Sequence, residues 1–166
     1  MLCMPRRCTR GVGKKELLML PSNGMFDVLL APLTPYALMP KKAHASDAGF
    51  DLAIPADCVL APQAHQQIDL GIALHIPPGW YGQIFGRSSV FRRGISVHPG
   101  VIDADYRGAV QLLVYNHLPV EQQLHRGERL AQLLFLPVPA VQLVEVSTEQ
   151  LGQTRRGSGG VGSTGR

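Results

Sequence analysis

Helical periodicity is nearly absent from this sequence of 166 residues, and so is any spacing of cysteine and histidine that holds a metal. The three cysteines, Cys3, Cys8 and Cys58, form no CxxC pair, and the six histidines include no His-x-His or i, i+4 pair. A zinc site is therefore not expected, and the thiols read as reduced cysteines inside a cell. Aromatic residues make up only 6% and are not interleaved with the 16 lysines and arginines, which do not gather into one stripe. That argues against a stacking platform for single strands, and no direct nucleic-acid binding is expected. No stretch approaches the roughly 18 apolar residues that span a membrane. Arg6, Arg7, Arg10, Lys14 and Lys15 are not followed by an apolar run of signal-peptide length, so an intracellular protein, cytoplasmic or nuclear, is expected rather than a secreted one. Residues 1–22 read as a basic, flexible extension, with a nuclear or mitochondrial address as the alternative.

What is present fits one folded domain. The length suffices for a single core, and 45% hydrophobic residues agree with a globular protein. A formal charge of +4 and a pI near 9.2, without a basic stripe, suit a small anionic ligand. Short apolar runs punctuated by Gly, Pro, Asn or Asp recur along the chain and predict strands at Phe26–Ala31, Ala48–Ile54, Gln67–Ile76, Gly82–Phe85, Ile95–Val97, Ala109–Asn116, Arg129–Leu136 and Val141–Val146. Many short antiparallel strands must bury their edges, which points to an all-β sandwich or jelly roll over 23–150, with 151–166 as a separate arm.

The most informative stretch is Gly-Val-Ile-Asp-Ala-Asp-Tyr-Arg-Gly, residues 100–108. Glycine at both ends and β-branched residues before the acid predict a β-hairpin carrying Asp103. Taken alone, Asp103 and Asp105 are equally suited to capping backbone amides in a solvated turn. Three more fragments carry related chemistry: Asp47-Ala48-Gly49-Phe50-Asp51, Gly86-Arg87-Ser88-Ser89 and Gly127-Glu128-Arg129-Leu130-Ala131-Gln132. The end of the chain, from Arg155 to Arg166, is rich in glycine and basic. By composition it is a flexible tail. Its Gly157–Thr164 stretch echoes a phosphate-binding loop but lacks the lysine, and no helix fits in the two residues that remain, which excludes a P-loop.

In order and spacing, these fragments resemble the five-motif signature of the trimeric dUTP diphosphatases (dUTPases), over roughly residues 24–166. The resemblance implies a distorted jelly-roll barrel and a homotrimer with three shared sites, each closed by one chain's C-terminal arm. It implies Mg²⁺-assisted attack of water on the α-phosphorus of dUTP, giving dUMP and diphosphate. That activity limits uracil in DNA and supplies dUMP for dTMP synthesis. Carried over residue by residue, Asp103 is the general base and Gln132 lies near the phosphates and water. Tyr106 packs on the deoxyribose, and the backbone of Gly100, Val101 and Ile102 reads uracil. Arg87, Ser88 and Ser89 bind phosphate, and Asp51 holds water on the metal. Arg156, Gly157, Ser158, Val161, Ser163 and Thr164 form the lid, with Arg156 on the γ-phosphate. Arg129 is expected as a structural partner of Asp105.

Two positions depart from the pattern. Val161 stands where the family usually has a phenylalanine that stacks on uracil, and Gly86 replaces a proline, which should loosen that turn. Ser96–Asp103 together with Gly86–Ser89 looks more like viral members than cellular ones. His98, before Pro99, is an alternative base but reads as an ordinary loop histidine. Two other functions stay open: a dCTP deaminase relative, and a weakened nucleotide-binding module with a regulatory role.

Overall fold

A computed structural model describes residues 26–160. The strands in chain order are β1 Leu29–Pro32, β2 Phe50–Ala53, β3 Cys58–Leu60, β4 His65–Asp69, β5 Ile72–His75 and β6 Trp80–Gly86. One helical turn, α1 Ser88–Phe91, precedes β7 Ile95–Val97, β8 Val101–Ile102, β9 Gln111–Asn116, β10 Gln122–Leu124 and β11 Arg129–Pro137. The architecture is all-β, as expected. Every strand pairing is antiparallel, in sheets ordered β1-β5, β10-β3, β2-β11-β6-β8 and β4-β9-β7.

The sheets share one aliphatic core. Alternation places Leu112 and Val114 of β9 inside, together with Ile72 of β5, Ile84 of β6 and Leu133 of β11. The longer aromatic rings sit at its margin, where Phe26 stacks on Trp80 at 4.1 Å and Phe135 meets Phe50 edge-on at 6.0 Å. The core's one buried polar side chain among the described residues is Asn116. Its amide nitrogen donates to the carbonyls of Ala61 (3.0 Å) and Val120 (2.8 Å), and its oxygen accepts the Leu118 N–H at 3.0 Å. Asn116 thus ties the loop after β3 to the loop after β9. Asn116→Leu leaves those backbone groups buried without partners, so an unfolding free energy lower by about 2–4 kcal/mol is expected in urea titration.

Several expected elements are different in the structure. The run Gln67–Ile76 is two strands in two sheets, because Gly71 turns the chain at φ +66° and the Asp69 carboxylate accepts the Gly71 N–H at 2.7 Å. Strands β3 and β10, only three residues each, were not predicted; they pair with each other and are too short to show a period. The first strand starts at Leu29 rather than Phe26. Val141–Val146 is not a strand. Val141, Leu143 and Val144 are 73%, 95% and 69% exposed. An alternating apolar segment records a surface suited to a sheet, and the chain by itself brings no sheet edge to it.

Candidate functional site

The structure gathers the acidic and basic motifs on the central sheet. Asp51 of β2 lies opposite Gln132 of β11, which in turn lies opposite Phe85 of β6, so the three side chains share one face. Gly49 makes room for Gln132: a Cβ there would stand 2.9 Å from the glutamine Oε1. The chain leaves β6 through Gly86, which keeps strand register with Ala131. The turn that follows is held on both sides. The Arg87 N–H donates to the Leu130 carbonyl at 3.0 Å, and the Arg87 carbonyl accepts the N–H groups of Val90 and Phe91, both at 3.1 Å. Ser88 and Ser89 are exposed at the start of α1.

Asp51 is the electrostatic centre of this group. Its carboxylate receives Arg129 Nη1 at 2.9 Å on one oxygen and faces Arg87 Nε at 3.4 Å on the other. Arg129 therefore pairs with Asp51 and not with Asp105. The bulge between Arg129 and Ala131 lies in the β11 stretch that faces β2. Two cations around one acid leave a net positive surface, which suits phosphate. Lys41 adds to the same edge, its carbonyl accepting the Asp51 N–H at 2.8 Å.

The Gly100–Gly108 stretch forms a second group. It is not a self-paired hairpin: β8 pairs with β6, while the chain continues into β9 of the other sheet, so the nonapeptide bridges two sheets. Asp103 stands exposed at the turn, where its carbonyl accepts the Tyr106 N–H at 3.1 Å. Tyr106 donates its hydroxyl to the Ala109 carbonyl at 3.0 Å and remains 44% exposed. Its ring fills the space over Gly108, where a Cβ would come within 2.4 Å of the hydroxyl. Gly100 is different. A Cβ there would meet only Ile84, at an ordinary 3.5 Å, so packing within the chain does not require this glycine.

A cleft of about 230 Å³ opens here, with Gly100, Val101, Ile102 and Tyr106 on one side and Gln67 and Gln111 on the other. A larger cleft of about 700 Å³ lies between Thr34, Tyr36, Pro55 and Arg126. It contains none of the motif residues, and its one arginine is bonded locally: the Arg126 Nε donates to the Pro55 carbonyl at 3.0 Å and its N–H to Asp57 at 2.6 Å. The smaller cleft is the better candidate on chemistry.

One chain does not unite the two groups. Strand β8 lies three strands from β2, and the Ile102–Gly82 and Asp51–Gln132–Phe85 rows are offset by three residues along β6. Those steps put the Asp103 turn and Asp51 on the order of 17 Å apart. In the arm, the Arg156 Nε donates to the Gly159 carbonyl at 2.9 Å, and the Gly157 N–H donates to the Thr154 carbonyl at 3.1 Å. Arg156, Gly157 and Ser158 are exposed. Val161, Ser163, Thr164 and the 1–22 extension lie outside the described residues. Cys58 is half-buried, and burial together with the charges of Glu128 and Asp57 pushes its thiol upward, which keeps it protonated. Among the described residues, no cluster of three His, Cys, Asp or Glu side chains is placed to hold a metal.

Comparison with known proteins bears on the family and the fold. A dUTPase family model matches residues 35–165. The deoxyuridine 5'-triphosphate nucleotidohydrolase of Nocardia farcinica is 44% identical over 147 residues, covering 86% of this chain and 88% of that protein. That of Mycobacterium leprae is 44% identical over 140 residues, covering 80% and 91%. Among solved structures, a point variant of the Staphylococcus bacteriophage 80alpha dUTPase with dUpNHpp superposes with a TM-score of 0.75 at 26% identity, covering 86% of this chain and 100% of that one. A phage phi11 dUTPase variant described with a structural Mg(II) ion gives a TM-score of 0.69 at 26% identity, covering 73% and 97%. With a family model over residues 35–165 and relatives 44% identical over most of their length, the chain belongs to the dUTPase family.

Proposed function

We propose that this chain is a dUTP diphosphatase, converting dUTP and water to dUMP and diphosphate, and that it works as a homotrimer with shared sites. The observation that carries the reading is the division of the motif residues into a nucleoside-sized cleft lined by Gly100, Val101, Ile102 and Tyr106, with Asp103 on the turn that follows β8, and a cationic phosphate surface, on the order of 17 Å apart in one chain. A second copy supplies the missing half. The exposed apolar segment around Val141, Leu143 and Val144 offers the surface by which copies associate.

In this reading uracil enters the cleft against the backbone of Gly100, Val101 and Ile102. The Tyr106 ring lies along the deoxyribose and leaves no room for a 2'-hydroxyl, a steric exclusion stronger than the roughly 100-fold of a tolerant apolar pocket. Asp103 positions the attacking water and takes its proton. Arg87, Ser88 and Ser89 hold phosphate oxygens, and Gln132 hydrogen-bonds beside them. The arm closes over the site, with Arg156 on the γ-phosphate, Ser158, Ser163 and Thr164 as further donors, and Gly157 giving backbone freedom. Val161 covers the base less fully than an aromatic ring.

Mg²⁺ fits this site in a particular way. Asp51 is the acid of the phosphate surface, and both its oxygens face arginines, so it suits a water-mediated contact better than a direct bond. Mg²⁺ keeps several waters and is commonly held through substrate phosphates. Bound there, it would neutralise charge on the triphosphate. Among the described residues no helix is long and apolar enough to cross a membrane, and we place the enzyme inside the cell, in cytoplasm or nucleus.

The test is diphosphate release in Mg²⁺ from dUTP, dCTP, dTTP and UTP in separate reactions. Release from dUTP alone is expected. Ammonia from dCTP, or equal release from all four, would sink the proposal.

A further inference from the structure

Gln83 lies behind the cleft rather than in it. It sits on β6 opposite Val101, and its amide Nε2 donates to the Gly100 carbonyl at 3.0 Å. The same carbonyl accepts the Ile84 N–H at 2.9 Å. A carbonyl oxygen has two lone pairs, so both are engaged. Hydrogen-bonded and non-hydrogen-bonded pairs alternate along an antiparallel ladder. With the Gly100 carbonyl turned to β6, the Gln83–Val101 pair is a non-bonded one. The Val101 N–H and C=O therefore point away from β6, toward the edge where the cleft opens.

The geometry points to a positioning role for Gln83: it holds the Gly100–Val101 peptide so that the cleft offers an N–H, and not the Gly100 carbonyl, to the base. The inference rests on the dUTP reading above. A trans peptide carries its C=O and N–H on opposite sides, so a flip of this one exchanges donor for acceptor. Such a flip turns ψ of Gly100, which glycine allows, and φ of Val101, which a β-branched residue resists, so the Gln83 bond acts together with Val101 and the Ile84 N–H in holding the peptide. An N–H in the cleft pairs with the carbonyl oxygen of a uracil. A flipped carbonyl instead accepts the amino group of a cytosine. Gln83 thus biases the site toward keto bases without touching them. The sequence gives no sign of this, since an amide on a strand next to a motif has no pattern of its own.

The test compares wild type with Gln83→Leu, Gln83→Glu and Gln83→Arg, measuring kcat and KM for dUTP and dCTP, and affinity for dUMP and dCMP by calorimetry. Gln83→Leu should raise the KM for dUTP and lower the dUMP-over-dCMP preference, each by roughly three- to tenfold, the weight of one intramolecular hydrogen bond. The kcat for dUTP should stay within about twofold, since the bond acts on binding rather than on the chemical step. Gln83→Glu, acceptor-only against a carbonyl, should show the same loss, and serves if the leucine variant fails to fold. Gln83→Arg keeps a donor and should keep the preference. A leucine or glutamate variant that discriminates like wild type, or that loses both nucleotides equally, overturns the role of Gln83. A wild type that binds dUMP no better than dCMP overturns the dUTP reading itself.

Discussion

Asp103→Asn should reduce kcat for dUTP by roughly 10²–10⁴-fold, the usual contribution of a positioned general base, while leaving the melting temperature and dUMP affinity nearly unchanged. The two effects separate because of how the turn is built. The structural bond of this residue is made by its backbone carbonyl, which accepts the Tyr106 N–H, and an amide side chain leaves that bond intact. Asparagine also keeps the size and planarity of the group. What it cannot do is take the proton of the attacking water. Single-turnover measurement of diphosphate release decides the matter, because product release cannot mask a slower chemical step. An unchanged rate would remove Asp103 from the mechanism and direct attention to His98, in the segment just before β8.

The fold class was legible because period-two alternation and turn residues are local signals. Strand Ile95–Val97 falls where its pattern predicts it, and Arg129–Leu136 gains only Pro137. The failures lie where local pattern has nothing to report. Gly71 sits inside an apolar run and reads as part of a strand, yet its positive φ divides that run between two sheets. Strands β3 and β10 owe their existence to each other, through pairing across about 60 residues of sequence. The site residues were legible as an ordered set of fragments, but not their partners. Arg129 was expected beside Asp105. It is held at Asp51 because β11 runs next to β2, a fact of topology rather than of spacing.

Two inactive variants should restore each other when mixed. Arg87→Ala removes the side chain that faces Asp51 on the phosphate surface, and Asp103→Asn removes the proposed base on the other half-site. If each site takes its cleft from one chain and its phosphate surface from a neighbour, some sites in mixed trimers carry neither change. Random assembly at equal amounts gives about one intact site in four around a three-membered ring. Activity should therefore recover to about a quarter of wild type after the two variants are unfolded and refolded together. Refolding each alone should recover nothing. A site built within one chain gives no recovery in either case, since every chain then carries a defect. The same experiment tests the apolar segment 141–146. Burying a large aliphatic side chain contributes about 1.5–3 kcal/mol, and Leu143 and Val144 are 95% and 69% exposed in a single chain. Leu143→Asp combined with Val144→Asp should leave an 18.0 kDa monomer by sedimentation. With that pair of changes in both partners, complementation should disappear. A monomeric double variant that retained full dUTP turnover would place the whole site in one chain, and the 17 Å gap would then have to close by movement within it.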